Sequence, residues 1–127
     1  MMYLLDVNAL LAIQYRDHVH HTRVKAWISA MRVEPWQGVA VFATCPITEL
    51  GFLRVASGKA ALSPSVDLAR ADLHTLKSRQ KMLFIPDDIS ARRLEAWVLK
   101  SPQTTDGYLL ALAKTHGGHP ASAMAMI

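Results

Sequence analysis

The chain reads as an α/β domain whose parallel sheet is covered by helices on both faces. Three observations predict it. Short uncharged apolar runs alternate with longer segments of helical periodicity, the order that parallel strands and crossover helices leave in a sequence. Those runs are apolar at nearly every position rather than at every second one, as strands buried on both faces require. The size also suits it: 127 residues, 51% hydrophobic and 19% charged, suffice for one core and are far from the composition of a disordered chain. We expect a single domain over residues 1–127.

Residues 2–5 (Met-Tyr-Leu-Leu) form the first strand, which ends in a sharp turn at Asp6-Val7-Asn8 and leads into a helix capped by Asn8. Between His18 and Arg32, Val24, Trp27, Ile28 and Met31 keep the i, i+3, i+4, i+7 spacing of an amphipathic helix. Residues 35–38 break it, and 39–43 are a second apolar strand. Thr44-Cys45-Pro46 opens a helix, since proline is tolerated in a first turn, and Gly58 stops it after Ser57. Ser63-Pro64 begins another, with Val66, Ala69, Leu73 and Leu76 on its apolar face. Residues 82–85 are a third strand, closed by Pro86. A short helix near 90–99 and a Ser-Pro turn precede a helix over 105–116. Gly117-Gly118 ends that helix, and residues 119–127 supply a last strand.

Composition narrows the function. One cysteine, Cys45, excludes a disulfide scaffold and any metal site built from cysteines, and it fits a reducing compartment. No uncharged apolar run approaches the roughly 18 residues of a membrane span. The first residues lack the basic start of a secretion signal and carry Asp6 and Asn8 inside their apolar run, so a cytoplasmic protein is expected. The net charge of +4 is spread evenly, with +2 in residues 1–63 and +2 in 64–127. Mild, dispersed basicity is compatible with a nucleic-acid partner without demanding one.

Three of the ten carboxylates stand where an acid is costly. Asp6 follows the first strand directly, at the edge where ligand sites of parallel sheets lie. Glu49 shares a helical face with Phe52, Leu53 and Ala56, and Asp106 shares one with Leu109, Leu110 and Ala113. Unpaired carboxylates beside a core cost several kcal/mol, on the order of a lost domain contact. Singly, each has a plain explanation. Asp6 can cap the next helix, and Asp106 suits a helix N-terminus. Together they would converge on one edge of the sheet. With no Cys or His cluster beside them, the ion they would hold is hard and oxygen-seeking, Mg²⁺ or Mn²⁺, as in sites that hydrolyse phosphodiesters.

The segments 4–12 (Leu-Leu-Asp-Val-Asn-Ala-Leu-Leu-Ala), 45–55 (Cys-Pro-Ile-Thr-Glu-Leu-Gly-Phe-Leu-Arg-Val) and 104–113 (Thr-Thr-Asp-Gly-Tyr-Leu-Leu-Ala-Leu-Ala) resemble PIN-domain ribonucleases. Within them the chain is most similar to VapC toxins of bacterial toxin–antitoxin pairs, as is Pro86-Asp87-Asp88-Ile89-Ser90. The resemblance implies a three-layer α/β/α fold with a short central parallel sheet and metal-dependent cleavage of RNA. It implies Asp6, Glu49 and Asp106 as the catalytic and metal-site acids, with Asn8 a polar neighbour of Asp6 and Thr105 a helix cap that orients Asp106. It also implies a cognate antitoxin protein as partner. At the end the chain departs from the family. A fourth acid usually follows the Gly-Gly turn, but Met124 occupies its place and no acid follows Asp106. A soft thioether cannot replace a carboxylate toward Mg²⁺, so one ion is held weakly and a second hardly at all.

Other features read more plainly. His18, His20 and His21 form a solvated helix end, His116 a favourable C-terminal residue, and Cys45 a small buried residue. Arg70, His74, Lys77 and Lys81 line one side of a helix, as a solvated face or as a track for phosphates. Trp27, Trp36 and Trp97 read as core or interface residues. The apolar helical faces at 18–32 and 46–57 point to a homodimer and an antitoxin-binding surface. The leading reading is an endoribonuclease toxin. The second is a PIN-fold module that binds RNA or protein without cutting, motivated by Met124. A third, another acid-rich phosphotransfer enzyme, lacks a Gly-rich phosphate loop.

Overall fold

The computed structural model describes residues 1–32, 40–59 and 62–121. Four strands, β1 (Met2–Leu5), β2 (Val41–Thr44), β3 (Leu83–Phe84) and β4 (His119–Ala121), form a parallel sheet in the order β3-β2-β1-β4. The helices are α1 (Val7–Gln14), α2 (His21–Arg32), α3 (Pro46–Ala56), α4 (Val66–Arg79) and α5 (Thr104–Thr115). Helices α1 to α4 cover one face of the sheet and α5 the other, giving the three layers expected.

The double covering explains why β1 is apolar throughout. Tyr3 and Leu5 point to the α1–α4 side and pack with Leu10, Phe42 and Phe52, whereas Met2 and Leu4 point to α5 and pack with Leu109 and Leu112. Each fully buried Leu or Phe contributes about 1.5–3 kcal/mol. Register places Tyr3 opposite Phe42 on one side and His119 on the other, so β1 is central. Trp27 meets Tyr3 edge-on with ring centroids 5.3 Å apart, in the core side of α2 as read from the sequence. Tyr15 stacks on Phe52 and donates its hydroxyl to Asp72 at 2.8 Å. Burial first, then that carboxylate, pushes the phenol well above its ordinary value.

Several expectations are revised. Strand β3 is two residues long, and Leu83 and Phe84 are half exposed because β3 is an edge strand that pairs with β2 alone among the described strands. The stretch 90–99 is not a helix. Ser90 caps a single 3₁₀ turn, Ala91–Arg93, and the chain continues irregularly to a second such turn, Ser101–Gln103. Tyr108 and Lys114 on α5 hold this stretch instead, through Ile89 O at 3.0 Å and Glu95 at 2.7 Å. Helix α2 starts at His21, since the Nδ1 of His18 accepts the His20 amide at 3.1 Å and shapes a turn there. Helix α5 ends as expected: Gly117 takes φ +74° and Gly118 N–H reaches Ala113 O at 2.8 Å, while His116 lies 2.8 Å from Asp88. Cys45 is buried and free, at the N-cap of α3. Trp36, the break at 35–38, Val39 and Met124 lie outside the described residues.

Candidate functional site

The carboxyl edge of the sheet collects the ends of β1 and β2 and the starts of α1, α3 and α5. Asp6 is the last extended residue after β1, with ψ 174°, and its Oδ1 accepts the Ala9 amide at 2.8 Å. It is therefore the N-cap of α1. Asn8 is already inside the helix, which corrects the sequence reading that gave Asn8 that role. Asp6 N–H also donates to Ala121 O at 3.0 Å, so the backbone around this carboxylate is pinned by β4 as well as by α1.

Asp106 stands in the first turn of α5 and is exposed rather than set against the core, because the helix begins beyond the end of the sheet. Thr105 lies inside the helix and does not cap it; the cap position is Gln103. Asp6, Asn8 and Asp106 line one cleft of about 410 Å³, whose apolar wall includes Leu4, Leu109 and Pro120. Trp97 closes the cleft from the irregular stretch and keeps 45% of its surface exposed. Gly107 permits this approach. A Cβ there would fall 2.5 Å from Val98 Cγ2, so a larger residue would push the wall away from α5.

Glu49 is in the first turn of α3, just beyond the carboxyl end of β2. It is not among the residues lining the cleft. Its Oε2 accepts from the buried Thr44 hydroxyl and from Lys77 Nζ, the latter at 2.7 Å, with 20% of the Glu49 side chain and 29% of the Lys77 side chain exposed. Lys77 Nζ also lies 5.1 Å from the centre of the Phe84 ring. The helix-α4 stripe is thus not uniformly solvated: Arg70 pairs loosely with Asp67 in solvent, whereas Lys77 turns inward.

The structure therefore brings Asp6 and Asp106 into one cleft and sets Glu49 on the neighbouring strand's edge, tied to a lysine. Among the described residues no group of three or more His, Cys, Asp and Glu side chains is arranged to hold a metal ion. Two carboxylates and an amide in an open cleft still fit a hard cation, because Mg²⁺ keeps several waters and takes one or two carboxylates plus substrate phosphates. The contacts of Glu49 with Lys77 and Thr44 and the place of Trp97 in the cleft were not legible in the sequence. Lys77 is 28 residues from its partner, and Trp97 sits where no periodicity exists.

The PIN domain family matches residues 3–119. Three proteins of Mycobacterium tuberculosis are similar over most of their length. Ribonuclease VapC38 is 36% identical over 119 residues, covering 91% of this chain and 80% of that protein. Ribonuclease VapC44 is 39% identical over 124 residues (93% and 82%), and Ribonuclease VapC39 is 35% identical over 125 (93% and 85%).

Proposed function

This chain belongs to the PIN-domain family, and from that premise we propose that it is a metal-dependent endoribonuclease, the toxin of a type II toxin–antitoxin pair. The observation that carries the reading is the pairing of Asp6 and Asp106 in one cleft at the carboxyl edge of the sheet. Asp6, Glu49 and Asp106 are the acids of the site, and Asp6 and Asp106 would hold Mg²⁺ or Mn²⁺. When bound there, such an ion supplies a more acidic water and a positive charge opposite the negative charge that develops on a phosphodiester.

The chain's own groups do the rest. The capping bond to Ala9 holds the Asp6 carboxylate in one orientation, so little reorganisation is needed when substrate arrives. Leu4, Leu109 and Pro120 exclude water from one side of the cleft and strengthen electrostatics within it. Asn8 offers an amide to a phosphate oxygen, and Trp97 offers a ring on which an unpaired base can stack. Lys77 holds the Glu49 carboxylate at the carboxyl edge through their ion pair.

Asp6→Asn tests the reading cleanly, since asparagine caps a helix as well as aspartate and keeps the bond to Ala9 N–H while losing the charge. We expect unchanged melting and loss of Mg²⁺-dependent cleavage of labelled RNA. Equal cleavage by the variant, or by the parent in chelator, rejects the reading. The engagement of Glu49 by Lys77 favours a second reading, a PIN module that binds RNA or protein without cutting. That reading predicts a parent inert with both ions. We also propose a homodimer and an antitoxin as partners, supported by the exposure of Leu50 on α3 (67%) and Val19 before α2 (84%). Sedimentation of the chain alone and with the neighbouring gene product checks both.

A further inference from the structure

We propose that the amino-terminal edge of the sheet carries a second RNA contact, a phosphate-binding surface formed by Arg16, Lys25, Arg32, Arg79 and Lys81. The proposal rests on the endoribonuclease reading, for which it provides the substrate with an attachment point away from the cleft.

Two adjoining concavities form the surface. One, of about 220 Å³, lies between the C-terminal end of α1, the start of α2 and the end of α4, and is lined by Arg16, His21, Lys25 and Arg79. The other, of about 390 Å³, lies against the start of β2 and is lined by Arg32, Arg79 and Lys81. Arg79 and Gln80 belong to both walls, so the two are continuous. Among the described residues no Asp or Glu lines either of them. All five cations are exposed, and among the described residues Arg16, Lys25, Arg79 and Lys81 have no ion pair. Elsewhere on the chain Arg70, Lys77 and Lys114 each have a carboxylate. Like charges gathered with no counter-charge among the described residues repel one another, and a polyanion relieves that repulsion.

Two local details point the same way. Lys81 follows α4 with φ +50°, in a turn where Met82 N–H reaches Lys77 O at 3.0 Å. The matching turn after α5 uses Gly117, the residue that tolerates this conformation. At α4 the chain keeps a lysine in a strained position, and that lysine faces the second concavity. Gln80, in the shared wall, has a buried side-chain Oε1 without a hydrogen-bond partner among the described residues. Turned over, the amide presents N–H donors at that place.

The surface is not part of the cleft. Asp6 starts α1 and Gln14 ends it, and eight residues of helix separate the two by about 12 Å. Acids at one edge of the sheet and cations at the other orient an approaching polyanion along this axis. RNA several nucleotides long reaches both.

The test is binding of a fluorescein-labelled 20-nucleotide single-stranded RNA in EDTA, where cleavage is suppressed, titrated at KCl from 50 to 200 mM. Parent, Arg79→Gln, the triple Arg16→Gln/Lys25→Gln/Arg79→Gln and a control, Arg70→Gln, are compared, with melting curves for each. We expect the triple variant to weaken binding by about tenfold or more and to reduce the slope of log affinity against log salt by about 2, since single strands contribute about 0.7 per phosphate contact. Arg79→Gln gives a smaller change in the same direction should the triple variant fold poorly. On a cleavable long RNA the same variants raise KM and spare kcat. Unchanged affinity and slope in folded variants overturn the proposal. So does loss of binding to poly-glutamate with RNA affinity intact, which would make this a protein-docking surface. A parent that binds RNA through these residues and cuts nothing upholds the surface and removes only the endoribonuclease reading.

Discussion

Replacing Lys77 with methionine isolates what Glu49 does. The Nζ–Oε2 separation of 2.7 Å corresponds to a gross attraction of about 6 kcal/mol at an effective dielectric of about 20. Desolvation of both groups offsets most of it. With 20% of Glu49 and 29% of Lys77 exposed, the pair lies between surface pairs, whose loss costs about 0.2–1 kcal/mol, and buried ones, about 3–5. Methionine keeps the aliphatic stem but removes the charge over Phe84, a further loss of about 0.5 kcal/mol. A net destabilisation of about 2 kcal/mol follows, which for a domain of this size lowers Tm by about 7 °C. If Glu49 belongs to the metal site, its unneutralised carboxylate draws in a cation. Mg²⁺ should then recover more Tm in the variant than in the parent, and the Mg²⁺ concentration for half-maximal cleavage should fall. Calorimetry in EDTA and in Mg²⁺, with a cleavage titration, reads both effects. Equal Mg²⁺ stabilisation of parent and variant, with an unchanged midpoint, would refute the role given to Glu49 and leave Asp6 and Asp106 as the site.

Gly107→Ala places a Cβ 2.5 Å from Val98 Cγ2. Overpacking of about 2 kcal/mol outweighs a gain in helix propensity of about 1, so the variant should melt lower and cut more slowly, and adding Val98→Ala should restore it. A stabilised single variant would refute the close approach. The His18 ring is held below its ordinary pKa by burial first and then by His20 and His21, and its Nδ1 accepts an amide only when neutral. Its contribution to stability is therefore complete above the unfolded value of 6.5 and is lost as pH falls through the lower folded value. His18→Asn should flatten the fall in Tm between pH 7.5 and pH 5, and an identical fall in the variant would contradict this. Met124→Asp supplies the absent fourth acid, and we expect the Mg²⁺ requirement for cleavage to drop by about tenfold, as added ligand charge raises affinity. A parent already cutting at full rate in low Mg²⁺, unimproved by the change, would show the acid to be dispensable.

The sequence by itself determined the alternation of strand and helix, the burial of β1 on both faces, the acids that follow β1 and begin α3 and α5, and the family. These were legible because they are local. A strand covered on both faces is apolar at each position, as in Tyr-Leu-Leu, and helix periodicity and caps lie within a few residues of one another. Apolar character reports that a residue is buried, however, and not against what. The run at 82–85 carries the same signal as β1, yet Leu83 and Phe84 stand half exposed, because edge position depends on which strands pair. Only the tertiary structure decided that Asp6 rather than Asn8 caps α1, that Trp97 reaches the cleft of Asp6 and Asp106, and that Lys77 binds Glu49. It alone gathered Arg16, Lys25 and Arg79 at the opposite edge. Each of these depends on where separate elements come to rest. Charges and exposed rings have no periodicity that names a partner, so their pairing is set by packing across the sheet and leaves no mark in the neighbouring sequence.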